Sequence, residues 1–187
     1  MTADVSIDRP AAIRLALRDM VAERGFHGAS MGVIATRAGV AAGTAYVHYE
    51  SKEELVYATF LEVKGDLGAA VLTGYPADAT PFDRWNHLLR ASFRYLEEEP
   101  ARARFLSQLE ESPYYEEAHA RHVARGDALT EAAAASDIVE LLVDLPVEVI
   151  YAMSLGVAVR LVSSGVKLSE DELDTLVEST WRALTRE

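Results

Sequence analysis

Residues 30–55, SMGVIATRAGVAAGTAYVHYESKEEL, contain the pattern that decides the fold of this chain. Ser30 is a helix-capping residue, and Gly39 supplies the positive φ angle that a tight turn between two helices needs. Ile34 and Val40 are spaced so that they pack the helix before the turn on the helix after it. The segment therefore predicts two short helices joined as a helix-turn-helix.

The second short helix carries side chains that suit contact with nucleic acid. Thr44, Tyr46 and His48 can form hydrogen bonds with phosphates or base edges. Ala42 and Gly43 are small enough to let the backbone approach a groove closely. We therefore expect this helix to contact DNA.

A capping box at Ser51 to Glu54 predicts the start of a long helix directly after the motif. It places Lys52 in the first turn, where the ammonium group and the free backbone N–H groups can meet a phosphate. We expect a DNA-binding domain over residues 1–50 and a second helical domain over residues 51–187, joined by this helix.

The stretch ERGFHGASMGVIATRAGVAAGTAYVHYESKEEL, residues 23–55, closely resembles the N-terminal domain of the tetracycline-repressor (TetR/AcrR) family. The matching features are a Gly-Phe pair after the first helix, a capped second helix with Ile-Ala, and then Ala-Gly-Val. Gly-Thr-x-Tyr, an aromatic pair and Ser-Lys-Glu-x-Leu follow in the family's order. The resemblance covers about residues 10–60.

By this resemblance, Thr44, Tyr46, His48 and Lys52 lie at the family's DNA-contact positions. Ser30 begins the helix that meets the phosphate backbone. These residues, with Ala42 and Gly43, are the expected DNA-binding set.

Other positions of the motif have different implications. Tyr49 is at the family's aromatic position that packs between the short helix and the first helix. Met31 and Gly32 stand where a hydroxyl or an arginine is often found, and Ala42 and Val47 carry no polar group for base recognition. Two consequences are open: a modest affinity for DNA, or recognition that relies on apolar contacts and on DNA shape.

The resemblance also implies a homodimer whose last two helices form a four-helix bundle. It implies a central cavity that binds a small effector, and release of the DNA operator when the effector is bound. On family grounds, repression is expected rather than activation. Two alternatives stay open: a DNA-binding dimer controlled by a protein partner, and a helical adaptor that has lost specific DNA binding.

Helical periodicity and helix-start signals continue through the rest of the chain. The expected starts are Pro10, Thr80-Pro81, Pro100, Ser112-Pro113, Pro146 and a second capping box at Ser169 to Glu172. We predict an all-α chain of about nine helices without a sheet. A three-helix DNA-binding domain comes first, and a helical ligand-binding and dimerisation domain follows.

Aromatic side chains on several body helices predict either a filled core or an apolar cavity with a few polar groups. We expect a largely apolar effector, because few cationic groups are available to bind an anion. The residues assigned to the cavity are Phe60, Trp85, Leu89, Phe93, Phe105, Gln108, Tyr115, Tyr151 and Ser154.

The last two expected helices predict a subunit interface. The helix over residues 146–164 is apolar nearly all round and must be buried on more than one side. The final helix carries an apolar stripe, and two such faces in a chain of this size suggest a homodimer. The residues assigned to the interface are Val147, Ile150, Ala158, Leu161, Leu173, Leu176, Val177, Trp181 and Leu184.

The charge distribution suits a protein that touches DNA at one end. The net charge of the 187 residues is −12. Residues 1–49 hold five arginines against four acidic residues, a formal +1, so the remainder carries −13. An acidic body behind a near-neutral head does not suit a protein that wraps nucleic acid along its length.

Other classes of protein are disfavoured by the sequence. There is no cysteine, which excludes disulfides and thiolate zinc sites. No signal peptide or membrane span is recognisable, so we expect a cytoplasmic protein. His119 and His122 are expected on a solvated helix face rather than at a metal. No catalytic motif is present, and we expect neither an enzyme nor a cofactor.

Overall fold

The chain folds into α-helices joined by short turns. The structure is a computed structural model that describes residues 8–126, 128–134 and 136–186, and these residues contain no β-strand. The head comprises α1 (Arg9–Arg24), α2 (Met31–Arg37) and α3 (Ala42–His48), and α4 (Lys52–Leu72) leads into the body. The body comprises α5 (Pro81–Glu98), α6 (Pro100–Glu110), α7 (Tyr115–Arg125), α8 (Ala128–Ala134), α9 (Ile138–Leu141), α10 (Val147–Met153), α11 (Leu155–Ser163) and α12 (Glu170–Leu184). The predicted all-α class is confirmed.

Helix caps appear where the sequence predicted them in the head. The Ser30 hydroxyl accepts a hydrogen bond from the Val33 amide at 3.4 Å, which caps α2. Gly39 has φ of +70° in the turn between α2 and α3, where a side chain would strain the backbone. Local signals therefore set both ends of α2.

The two predicted capping boxes have different outcomes. The box at Ser169 and Glu172 is complete at the start of α12. At the start of α4 the Ser51 hydroxyl accepts from the Glu54 amide at 3.2 Å. The Glu54 carboxylate, however, accepts two hydrogen bonds from Arg121 of α7, at 2.8 and 2.9 Å. The prediction was half wrong there, because an ion pair across the body holds this carboxylate.

Two predicted helices are divided. The helix expected to run from residue 113 to about residue 134 is interrupted at Gly126, whose φ is +67°, so that α7 ends and α8 begins. The helix expected over residues 146–164 is interrupted at Ser154, which separates α10 from α11. No side chain of α10 is fully buried, so the predicted burial on more than one side is wrong for that half.

The head is fixed to the body by α1, which packs on α4 and α6. Arg14 of α1 donates to the Glu62 carboxylate of α4 at 2.7 and 2.8 Å. Arg18 reaches Glu99, between α5 and α6, at 2.8 Å. One apolar core runs from the head through α4, α5, α6 and α11. The head and the body therefore share one core, and α1 is the helix that joins them.

A second, smaller core lies where α5, α9 and α12 meet. Its buried members are Trp85, Leu89, Ile138, Val177, Trp181 and Leu184. Trp85 and Trp181 have ring centroids 6.0 Å apart, and the Trp85 indole donates to the Thr180 hydroxyl at 3.1 Å. This cluster holds α12 on α5 within one chain.

Candidate nucleic-acid interface and internal cavity

The exposed side of α3 forms the candidate nucleic-acid interface. Ala45 is fully buried and anchors the helix, while Ala42, Gly43, Tyr46 and His48 are exposed. In α3 Thr44 is half-buried, and at the start of α2 Ser30 is exposed with its hydroxyl occupied as a cap. Six of the seven residues assigned to DNA binding thus lie at the surface of the helix-turn-helix or at its edge.

Tyr49 holds the end of α3 against α1. Its hydroxyl accepts a hydrogen bond from Arg14 at 2.7 Å and donates to the Pro10 carbonyl at 3.3 Å. The ring is buried, and this burial raises the pKa of the phenol while the neighbouring Arg14 opposes the shift. Packing is therefore the role of Tyr49 in the structure, as the sequence predicted.

Lys52, the seventh assigned residue, bonds within the chain. Its ammonium donates to the Phe26 carbonyl at 2.6 Å. It lies 5.9 Å from the ring centroid of Phe26 and 5.8 Å from that of Tyr114, and burial lowers the pKa of the ammonium. This contact could not be predicted from the sequence, because Tyr114 is far away in the chain. The phosphate contact of Lys52 stays a prediction.

Most arginines of the head are held by carboxylates. Three of the five are in ion pairs within the chain, while Arg9 and Arg24 are exposed at the ends of α1. The pairs are Arg14–Glu62, Arg18–Asp19, Arg18–Glu99 and Arg37–Glu23. The candidate interface is therefore less positive than the arginine count of the head suggests.

A cavity of about 550 Å³, open to solvent on one side, lies between α4, α6, α7, α10 and α11. Three of the nine residues assigned to a cavity line it, namely Phe60, Tyr115 and Tyr151. The remaining lining residues are Lys64, Leu106, Glu110, His119, His122, Val147, Glu148, Ala152, Gly156 and Arg160. The lining thus combines an aromatic and aliphatic wall with charged groups of both signs.

Six assigned residues do not line this cavity. Two of them belong to the second core and two to the main core, while one is exposed beside Gly25 of the head. The sixth, Ser154, is buried, and its hydroxyl donates to the Ile150 carbonyl at 2.6 Å. The other five are Trp85, Leu89, Phe93, Phe105 and Gln108. Aromatic and apolar character alone does not separate core residues from cavity walls.

The charged lining corrects the expectation that cationic groups are scarce. Lys64 and Arg160 both line the cavity, and the Lys64 ammonium lies 4.8 Å from the Tyr151 ring centroid. Burial raises the pKa of the Glu110 carboxyl, and the charges of Lys64 and Arg160 oppose that shift. Lys64 stands four residues after Phe60, and Glu110 four after Leu106, so helical spacing was the signal that could have found them.

The two histidines of α7 contact aromatic lining residues. The His119 ring stacks on Tyr115 with centroids 5.5 Å apart, and the His122 ring meets the edge of Phe60 at 5.8 Å. Both side chains are half-buried and line the cavity, so the predicted solvated face is wrong. Over the part of the chain that the structure describes, no three His, Cys, Asp or Glu side chains are grouped as a metal site.

The residues assigned to a dimer interface divide into two sets. Ala158, Val177, Trp181 and Leu184 are buried in the chain's own cores, because α11 packs on α5 and α6 and α12 packs on α5. They are not available to a second subunit without rearrangement. The other five are half-buried or exposed: Val147, Ile150, Leu161, Leu173 and Leu176.

Comparisons with known proteins identify the family. A family model described as bacterial regulatory proteins, tetR family, matches residues 13–59. A second, described as tetracyclin repressor-like, C-terminal domain, matches residues 81–185, which is more than half of the chain. The chain belongs to the TetR family. It is a transcriptional regulator with a DNA-binding helix-turn-helix, and the family's members are regulators rather than enzymes.

Two of the similar proteins cover most of the chain, and a third covers about half of it. An uncharacterized HTH-type transcriptional regulator of Haemophilus influenzae is 24% identical over 173 residues, which is 89% of this chain and 90% of that protein. HTH-type transcriptional regulator BetI of Rhizobium meliloti is 35% identical over 88 residues, 47% of this chain and 43% of BetI. The crystal structure of a TetR-family regulator from H. influenzae is 23% identical, with a TM-score of 0.79 over 96% of this chain and 97% of that one.

None of the helices within residues 8–126, 128–134 and 136–186 has the length and apolar character needed to cross a membrane.

Proposed function

We propose that this TetR-family regulator is a homodimeric repressor that binds an operator through α2 and α3 and releases it when a small molecule occupies the cavity. The observation that supports operator binding is the exposed side of α3, which is held on a rigid base. Ile34, Ala45 and Tyr49 are buried beneath it, so its exposed groups are presented in a fixed arrangement. Helices of this kind read base edges in the major groove.

Operator binding is tested by selecting sequences from random duplex DNA with the full-length protein and measuring affinity for the enriched sequence. The Tyr46→Phe variant removes only a hydroxyl from an exposed side chain. We expect it to weaken operator binding about tenfold, the usual effect of losing a hydrogen bond to a charged phosphate. Tyr75→Phe, in the turn after α4, is the matched control and should bind like the wild type. Equal affinities of both variants would contradict the proposed role of Tyr46.

The proposed effector has an apolar body and polar or charged ends, because the cavity wall has both characters. Phe60, Leu106 and Tyr151 would contact the apolar part. Lys64, Arg160, Glu110 and Glu148 could each pair with a charged end. A broad panel of amphipathic compounds, screened for an increase in melting temperature, tests the cavity directly. A panel without any stabilising compound would favour control by a protein partner.

Tyr114 and Tyr115 offer a direct connection from the cavity to the head. Tyr115 lines the cavity, whereas the ring of its neighbour Tyr114 lies 5.0 Å from the ring of Phe26, in the turn between α1 and α2. The ammonium of Lys52, at the start of α4, lies near both of those rings. A ligand that displaces Tyr115 would therefore shift the contact between α7 and the head.

We expect the Tyr114→Ala variant to bind a stabilising compound as the wild type does but to release DNA less completely. A bound effector typically changes the affinity for a second ligand by a factor of about 5 to 150, and in this variant the factor for operator affinity should approach one. Operator affinity with and without the compound gives the factor, and calorimetry gives compound affinity. Tyr75→Ala is the control. An unchanged factor in Tyr114→Ala would exclude this connection.

The proposed dimer would use side chains that remain accessible in the single chain. Leu161, Leu173 and Leu176 are half-buried, and Val147 and Val149 are exposed near the cavity. A two-fold dimer would bring two heads to successive turns of the operator. Light scattering at micromolar protein concentration should give twice the mass of the chain.

A further inference from the structure

Val47 is the most exposed large hydrophobic side chain among the residues that the structure describes. It is 82% exposed, and its neighbour Tyr46 is 55% exposed. Both belong to α3, a helix of seven residues whose position is fixed by buried Ala45. Burial of apolar area is favourable, so an exposed valine at this place contributes nothing to the stability of the head. Its apolar surface is available to a binding partner.

Two cationic side chains of the helix-turn-helix region form contacts within the chain. Arg37 of α2 is paired with Glu23, and Lys52 donates to the Phe26 carbonyl. On α3 itself the exposed groups are an imidazole, a phenol, an isopropyl group and two small residues. The helix therefore presents no lysine or arginine, and Val47 is its largest purely apolar exposed side chain.

The chemistry of the major groove restricts what an apolar side chain can recognise there. The base edges present nitrogen and oxygen donors and acceptors, and the C5-methyl group of thymine is the one apolar group among them. An isopropyl group packed against a hydrogen-bond donor or acceptor of a base would displace water from that polar group without replacing the hydrogen bond, which is unfavourable. Next to a thymine methyl it would bury apolar area on both sides.

We propose that Val47 reads thymine through its C5-methyl group in the major groove of the operator. The inference rests on the proposed function, because it requires that α3 enters the groove. It assigns a specificity role to a position that the sequence had marked as lacking a base-reading group. It also names the feature to find in the operator, a thymine in each half-site opposite the C-terminal end of α3, where Val47 lies.

The experiment uses the full-length protein and the operator enriched from random DNA. Each thymine is replaced in turn by deoxyuridine, which removes the methyl group and leaves base pairing unchanged. At the thymine that Val47 contacts, we expect the Kd of the wild type to rise about fourfold, which corresponds to about 0.8 kcal/mol for one buried methyl-sized group. Thymines outside the reach of α3 should show no change and serve as internal controls.

The Val47→Ala variant should bind the thymine operator more weakly and should no longer distinguish thymine from deoxyuridine at that position. Its melting temperature should equal that of the wild type, because the side chain is exposed. Val123→Ala, at a 65% exposed valine of α7, is the matched control. Its Kd for the deoxyuridine operator should remain about fourfold higher than its Kd for the thymine operator, the same ratio as for the wild type. The inference is overturned if no deoxyuridine weakens wild-type binding, or if Val47→Ala keeps the ratio. If no sequence is enriched, operator binding itself fails and the inference with it, which is a distinct outcome.

Discussion

The Phe105→Ala variant is expected to lower the free energy of unfolding by about 3–5 kcal/mol, as for other fully buried phenylalanines. Phe105 is 0% exposed and lies in α6, against which α1 of the head packs. Its ring centroid is 6.2 Å from that of Phe26. The substitution would leave a void in the core that joins head and body, and the surrounding helices can close such a void only in part.

Urea unfolding followed by circular dichroism measures this change. Phe82→Ala makes the same substitution at a half-buried residue near the start of α5 and is the control. We expect Phe105→Ala to be the more destabilising of the two variants by at least about 1 kcal/mol. Equal losses would show that Phe105 is not part of a closed core, and would favour the sequence-based assignment of this ring to a ligand cavity.

The second large effect is expected for Trp181→Ala, again a loss of about 3–5 kcal/mol. Trp181 is 9% exposed, and its ring is 6.0 Å from that of Trp85 and 5.8 Å from that of Phe82. The sequence assigned it to a dimer interface, whereas the structure packs it on α5 of the same chain. The two assignments predict different dependence on protein concentration.

If Trp181 stabilises the single chain, the substitution lowers the free energy of unfolding by the same amount at low and at high protein concentration. The mass from light scattering is then unchanged by the substitution. Leu173→Ala, at a half-buried position of the same helix, is the control and should lower the free energy of unfolding by less than Trp181→Ala does. A variant that dissociates into folded monomers without a loss of monomer stability would restore the interface assignment. Because the chain has two tryptophans, Trp85 alone reports fluorescence in Trp181→Ala.

The head was predictable from sequence because its signals act over a few residues. Ser30 caps the helix that follows it, Gly39 is in the turn, and Tyr49 is packed as the motif implied. A cap or a positive φ angle depends on neighbours within about one helical turn. A single sequence contains all of that information.

The cavity was less predictable because its walls come from five separate helices. Phe60 and Tyr115 line it, while Phe93 and Phe105 fill the core, although all four are aromatic residues in helical patterns. The difference arises from packing between distant helices. The break at Ser154 is accompanied by Gly156 two residues later, where an added Cβ would lie 3.0 Å from the Tyr151 carbonyl oxygen.

Contacts between charged groups were the least predictable part of the site. Lys52 is expected to contact a phosphate, and the sequence did not predict that its ammonium also lies beside Tyr114, 62 residues away along the chain. Glu54 was expected to complete a helix cap and instead pairs with Arg121. A long charged side chain can reach several partners, and only the folded chain shows which of them lies near.

The ion pairs within the head have a consequence for how strongly the protein binds DNA of arbitrary sequence. Binding to arbitrary DNA depends mainly on cationic side chains that displace the counterions of the phosphates. Arg14, Arg18 and Arg37 are already neutralised by carboxylates of the same chain. These three arginines therefore contribute little to binding that depends only on the phosphate backbone. We expect the affinity of the head for arbitrary DNA to fall less steeply with salt than its five arginines alone would predict.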